Sequence, residues 1–241
     1  MNSKNSTGLQ QLNAALTSME LASAFAMVSH DIKNSLGILL RDIHQVTSSC
    51  EVNCGMRNEC ADMEYEVRRI NNNLVKMLTL FKVEQGDYML NVDAHSVYDF
   101  LREVMLEHSQ IIRDKKVEYQ LDCAKNLFWY FDRNLMTGVM SNAISNALRY
   151  TNRRIRLTAH SDNAGLQLLI EDDGEGFTQA MLQQQSTVNQ PEAGFINNNT
   201  GLGLYFTKLV LDLHQHDGRH GKILMQNGGE LGGGQFYMTL P

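Results

Sequence analysis

His30 and Asp31 stand side by side in a run whose apolar residues, Leu21, Phe25, Val28, Ile32, Leu36, Leu39, Ile43 and Val46, recur at helical spacing. At roughly 100° per residue His30 falls about 200° round the helix from Val28, so its ring faces away from the apolar stripe. Asn34, one turn later, shares that face. A free imidazole has a pKa of about 6.5 and is mostly neutral at pH 7, and a neighbouring carboxylate can orient it as a nucleophile. Alone, the pair reads as no more than a solvated polar helix face. What lies downstream gives it weight.

Three patches in the second half of the chain read together as one nucleotide site. Asn142 and Asn146 are four apart on an expected helix, so their carboxamides point the same way, with Arg149 and Tyr150 a turn further on. A carboxamide oxygen suits Mg²⁺, which takes hard oxygen ligands and keeps waters and phosphate oxygens around it. Arg149 is placed to meet a phosphate. Asp172 ends an apolar strand and is followed by Gly174 and Gly176. There a carboxylate can accept a hydrogen bond from an exocyclic amine while bare backbone lets a flat ligand approach. An Asp-Gly turn between strands is the plain alternative. Thr200, Gly201, Leu202, Gly203 and Leu204 lead into an apolar-periodic helix, whose first amides suit phosphate. Neither a Rossmann-type Gly-x-Gly-x-x-Gly nor a Walker-type Gly-Lys-Ser/Thr loop fits.

The elements that must position these groups fall into two domains, 1–87 and 88–241. Residues 8–85 are nearly free of helix breakers. A second ladder, Met63, Val67, Ile70, Leu74, Met77 and Phe81, follows a turn rich in Cys, Gly and Asn. A hairpin with one apolar stripe per helix buries itself poorly. A second copy completing a four-helix bundle solves this, so a homodimer is expected. Gln85, Gly86 and Asp87 mark the linker. Beyond it, strands are expected at Tyr88–Val92, Val117–Leu121, Leu127–Phe131, Arg154–Ala159, Leu166–Glu171, Ile223–Gln226 and Gln235–Leu240. Helices are expected at about 96–113, 133–150 and 202–215. The fold class is α+β, a helical hairpin followed by an α/β two-layer sandwich.

Composition sets the outer bounds. The 241 residues are 43% hydrophobic and 20% charged, those of a soluble globular protein, and the net charge of −6 argues against nucleic acid as a partner. No apolar run approaches the roughly 18 residues that span a bilayer, and the first residues lack a signal-peptide core, so a cytoplasmic protein is expected. Cys50, Cys54 and Cys60 fit no zinc signature and read as incidental thiols at the hairpin tip. His214, His216 and His220 read as a polar loop after a helix rather than a metal site. His44 reads as a surface residue, and His95, His108 and His160 show no partner pattern.

In order and spacing these motifs resemble the two-component sensor histidine kinases, whose ATP-binding domain is shared with the gyrase-type ATPases. The residues from His30 to Asn34 resemble the phosphoacceptor box, Asn142 to Thr151 the asparagine box, Asp172 to Gly176 the first glycine box and Gly201 to Leu204 the second. Phe81 to Gly86 resembles the usual end of the second bundle helix, and Gly232 to Pro241 the terminal strand. The match runs over about 20–241. The resemblance implies that His30 is phosphorylated with Asp31 as its acid–base partner, that Asn146 binds Mg²⁺ beside Asn142, and that Arg149 and Tyr150 border phosphate and adenine. It further implies that Asp172 binds the adenine amine, Gly174 and Gly176 shape the pocket, and Gly201 and Gly203 hinge a lid and present amides to the phosphates of ATP. Asn34 falls where the family positions water for dephosphorylating its partner. The implied partners are a second copy, a response-regulator receiver domain and a separate sensor protein, since only about 20 residues precede the bundle.

The chain departs from the family pattern in three places. Asp31 replaces a more frequent Glu, and Ser35 replaces a kink-forming Pro. The expected lid, 178–200, holds a single charge, Glu192, no Lys or Arg, and Phe195 alone among aromatics. Phosphate charge would then rest on Arg149, Lys208 and backbone amides, giving slow turnover or weak ATP affinity. The alternative functions are a phosphotransfer or phosphatase module with a degenerate ATP site, and a gyrase-like ATPase.

Overall fold

The computed structural model describes residue 28 and residues 31–47, 56–184 and 201–241. His30, Thr200, Cys50, Cys54 and the lid residues Glu192 and Phe195 lie outside the described residues. The chain divides into two compact units, Met1–Tyr88 and Met89–Pro241. No described helix is long and apolar enough to cross a membrane.

In the first unit, helix α1 (31–47) packs on α2 (Met56–Glu84). Ile43, Cys60 and Val67 bury one another, with Leu36 and Leu40 laid against them. His44 Nε2 reaches Glu64 at 3.4 Å. Helix α1 runs unbroken through Ser35, whose hydroxyl donates back to the Asp31 carbonyl at 2.9 Å. The apolar ladders are only half used. Val28, together with Ile32, Leu39 and Val46 on α1 and Met63, Ile70 and Met77 on α2, remains exposed. Two helices meet along one row each, so the second row of each cannot be buried within a single pair.

The second unit begins with β1 (Val92–Ser96), α3 (Val97–Glu107), α4 (Ser109–Asp114), β2 (Glu118–Cys123), β3 (Phe128–Asp132) and α5 (Arg133–Tyr150). It continues with β4 (Arg154–Asp162), β5 (Gly165–Asp172), α6 (Gln179–Gln184), α7 (Gly201–Leu213), β6 (Gln215–His216), β7 (Arg219–His220), β8 (Lys222–Asn227) and β9 (Gly234–Leu240). Five strands form one sheet in the order β2-β4-β5-β9-β8, and β1 pairs separately with β3. The β2–β4 pair is parallel and the other neighbours in the sheet are antiparallel. Strand residues alternate faces. On one face Ile155, Leu157, Leu166, Leu168, Ile170, Met238 and Leu240 are buried, together with Val139, Ile144 and Leu148 of α5 and Phe206, Val210 and Leu211 of α7. The opposite face carries a polar row in register, Arg156, Glu171, Gln235 and Gln226, one residue from each of β4, β5, β9 and β8.

The first strand lies later than expected. Residues 88–91 have strand-like side chains but no ladder, and pairing starts at Val92 opposite Asp132. Just before it, the Asn91 amide donates to Asp132 Oδ2 at 3.0 Å, so a side chain stands where a ladder partner would. The helix expected over 96–113 is two helices, broken at His108, which adopts φ −95° and ψ 4°. The expected loop after α7 contains the short β6–β7 hairpin, turned by Asp217 and Gly218 with φ of 49° and 73°.

Two histidines that looked idle in the sequence are structural. His214 Nε2 accepts the Asp132 amide at 2.9 Å and its Nδ1 lies 2.7 Å from the Val210 carbonyl, so the proton sits on Nδ1 and the ring ties the end of α7 to the start of α5. Asp132 caps α5 in turn, accepting from the Leu135 amide at 3.0 Å. His108 is buried, and its Nε2 has no hydrogen-bond partner among the described residues. Burial pushes the His108 pKa down to about 4, against about 6.5 for the unfolded ring. The unfolded chain therefore takes up a proton that the folded one refuses. Stability is expected to be unaffected above pH 6.5 and to fall by up to about 3 kcal/mol as the pH drops from there through 4. Denaturant midpoints for wild type and His108→Leu across pH 4–7 check this. The variant should show the shallower acid limb, and parallel limbs would refute the assignment.

Candidate nucleotide site

The helix α5 starts at its Asp132 cap and places Asn142 and Asn146 half-buried on one side, with Arg149 and Tyr150 exposed at its end. The Arg149 guanidinium lies over the Tyr150 ring at 5.6 Å. Asn142 meets the first turn of α7. A methyl group added to Gly203 would lie 2.5 Å from Asn142 Oδ1, closer than any side chain tolerates, so glycine alone allows the two motifs to touch. Below them the Phe206 ring packs on Gly138, and Thr207 donates to the Gly203 carbonyl at 2.9 Å. Gly201, Leu202 and Leu204 share that first turn. Lys208, five residues beyond Gly203, is turned about 140° round the helix. It lines an open cleft of about 630 Å³ with Leu204, Asp212, His220 and Lys222, on the flank facing β8 rather than α5.

The Asp172 carboxyl at the end of β5 is 8% exposed. Its Oδ1 accepts the Gly174 amide at 2.8 Å and the Gly234 amide at 3.3 Å. Burial pushes its pKa up, the two amides pull it back, and the charge of Asp173 raises it again. Gly174 packs against the main chain at the end of α5, where a methyl group would lie 2.2 Å from the Tyr150 carbonyl oxygen. Thus Asn142 is joined to Gly203, and Tyr150 to the Asp172–Gly174 turn. The three sequence patches converge on one end of the second unit.

Three polar groups at this end were missed in the sequence. Asp173, the neighbour of Asp172 in the chain, faces elsewhere. It accepts from the Thr151 hydroxyl at 2.6 Å and from the Asn152 and Arg153 amides at 2.9 Å each. Burial raises its pKa, but these hydrogen bonds outweigh that and hold the carboxyl well below the usual range. It pins the loop that follows Arg149 and Tyr150. Glu171 is buried between Arg156 and Gln235, and Asn227 grips Phe177. Only the acidic run Glu171–Asp173 carried a signal in the sequence. The partners are distant in the chain and left none.

On the first unit, Asp31 and Asn34 are exposed on α1, as a polar face requires.

Residues 131–241 match the family model of the histidine kinase-, DNA gyrase B- and HSP90-like ATPases. Histidine kinase P4 of Formosa agariphila is 23% identical over 201 residues, covering 79% of this chain and 15% of that protein. The swarming motility regulation sensor protein RssA of Serratia marcescens is 22% identical over 190 residues, covering 78% of this chain and 40% of that protein. Residues 131–241 thus resemble the ATPase domain of that family, and the two curated relatives are named as a histidine kinase and a sensor protein. Its mixed α/β fold with a five-stranded sheet is that of the ATP-binding domain. Full-length ShkA in complex with AMPPNP shares the fold at a TM-score of 0.62 and 18% identity, covering 91% of this chain and 45% of that one. The chain spans 15% and 40% of the length of the two curated relatives named here. An ATPase domain of this type binds nucleotide.

Proposed function

We propose that this chain is an ATP-dependent protein-histidine kinase of a two-component system, phosphorylated on His30 and passing the phosphoryl group to an aspartate of a response-regulator receiver domain. The observation that carries the reading is the contact of Asn142 with Gly203, which joins the asparagine and glycine motifs. In the site they would form, the Asp172 carboxyl receives the adenine amine, Gly174 and Gly176 shape the floor, and the α7 amides from Gly201 onward, after Thr200, meet phosphate. Arg149 and Tyr150 border it at the end of α5. Asn146 and Asn142 would hold Mg²⁺ through their carboxamide oxygens, since Mg²⁺ takes one or two hard protein oxygens plus phosphates and water. Bound there, the ion would screen the charge on the terminal phosphates.

A neutral His30 ring nitrogen attacks the γ-phosphorus. The bond to the β–γ bridging oxygen breaks, ADP leaves with that electron pair, and Asp31 steadies the other ring N–H as positive charge develops. The protein's task is otherwise positioning and electrostatics. The exposed second rows of α1 and α2 support a homodimer, since a second copy would cover Ile32, Leu39, Ile70 and Met77. Exposed Asn34, one turn beyond His30, supports a further role in dephosphorylating the receiver. Both substrates, ATP and receiver, place the protein in the cytoplasm.

The cation-free stretch 178–200 favours a second reading, a phosphotransfer or phosphatase module with a weak ATP site. Incubation with γ-labelled ATP and Mg²⁺ separates the two. Acid-labile label on the wild type that vanishes in both His30→Gln and Asn146→Ala is the expected result. No label, with dephosphorylation of a phospho-receiver, would favour the module, and ATP hydrolysis indifferent to His30→Gln would favour a gyrase-like ATPase.

A further inference from the structure

Asn227 ends β8, and its carboxamide does the work of a paired strand. Its Oδ1 accepts the Phe177 amide at 2.7 Å and its Nδ2 donates to the Phe177 carbonyl at 2.8 Å. One side chain thus satisfies both backbone groups of a residue in the irregular stretch between β5 and α6. The approach is close. Gly176 sits at φ 78°, and a methyl group there would lie 2.6 Å from Asn227 Oδ1. From Phe177 the contacts continue inward to the Asp172 carboxyl. A methyl group on Gly234 would lie 3.2 Å from Phe177 Cε2 and 2.9 Å from Asp172 Oδ2, so the ring and the carboxyl flank the same glycine. Around them, the Gly228 amide donates to the Gly233 carbonyl at 2.8 Å, and the Gly233 amide to the Asp172 carbonyl at 3.1 Å.

We propose that Asn227 is a positioning residue for nucleotide, holding Phe177 and Gly176 at the spacing from Asp172 that the bound base requires. This rests on the nucleotide reading above. Asn227 acts through Phe177 and Gly234. A carboxamide is the group needed, because it both accepts and donates, whereas a carboxylate can only accept and a methyl group can do neither. Fixing the wall in advance removes an ordering cost from binding, so its loss should appear in affinity.

The test is titration of the full chain with a fluorescent ATP analogue and Mg²⁺, alongside melting of the nucleotide-free protein. Asn227→Ala loses two hydrogen bonds and is expected to raise Kd about tenfold, and Asn227→Asp, which keeps the bond from the Phe177 amide, about threefold. A purely structural asparagine would instead lower the melting temperature and leave the Kd of the folded fraction within twofold of wild type, and that result overturns the proposal. If Asn227→Ala does not fold, Asn227→Asp and Asn227→Ser decide, and wild-type Kd in both overturns it equally. Failure of the wild type itself to bind the analogue would sink the nucleotide reading rather than this assignment alone.

Discussion

Gly203→Ala is expected to cut autophosphorylation about 100-fold while leaving the fold intact, because displacement of a site group by about 1 Å can cost that much. The new methyl group would lie 2.5 Å from Oδ1 and 2.7 Å from Nδ2 of Asn142. Both atoms lie at the far end of a flexible side chain, so Asn142 can rotate away from the new methyl group. It cannot do so and still stand beside the α7 amides. Kinase assays and melting curves on the same preparation check this. Wild-type activity would mean that Asn142 has no part in the site. A melting temperature lowered in proportion to the lost activity would mean that α5 and α7 had parted.

Glu171→Ala is expected to produce the largest loss of stability. The Glu171 side chain is 2% exposed, and its Oε2 accepts from Arg156 Nε at 2.9 Å and Nη2 at 2.6 Å. Oε1 accepts from Gln235 Nε2 at 2.6 Å, and Gln226 extends the row by donating to Gln235 Oε1 at 2.8 Å. Arg156 also holds Glu230 at 2.6 Å, which ties down the turn before Gly233 and Gly234. Removing the carboxylate leaves the partly buried guanidinium with only the exposed Glu230 and strands the Gln235 amide, and breaking a buried pair from one side costs about 3 kcal/mol. In a unit of this size that is roughly a 10 °C fall in melting temperature. Glu171→Gln keeps an acceptor oxygen and should fall less. Because the row backs the Gly234 amide that bonds Asp172, nucleotide affinity should drop in both. An unchanged midpoint in Glu171→Ala would show that Glu230 alone suffices for Arg156.

The local elements were largely legible in the chain. The strands over 154–159, 166–171 and 235–240 lie within β4, β5 and β9, because alternating or continuous β-branched and apolar runs leave few other ways to bury them. The helix 133–150 coincides with α5, which Asp132 caps. Errors arose where partners decide. Tyr88–Val92 has the composition of a strand, yet the ladder begins only where β3 lies alongside. The helix over 96–113 has the right period but is interrupted by a histidine whose buried Nε2 has no hydrogen-bond partner among the described residues. His214 was unreadable as a tie, because the amide it holds lies 82 residues away.

The motif residues Asn142, Asn146, Asp172, Gly174, Gly176, Gly201 and Gly203 were written in the sequence by their types and short-range spacing, since amide, acid and glycine chemistry depends on the residue itself. Tertiary structure alone decided which of them touch and what holds them in place. It set Gly203 against Asn142, turned Lys208 to the other flank of α7, gave Asp173 to the loop at 151–153, and brought Asn227 and Gln235 from β8 and β9 to the β5 turn. Pairings of that kind depend on strand order and helix rotation. A sequence displays the groups able to bond, and only the folded register chooses among them.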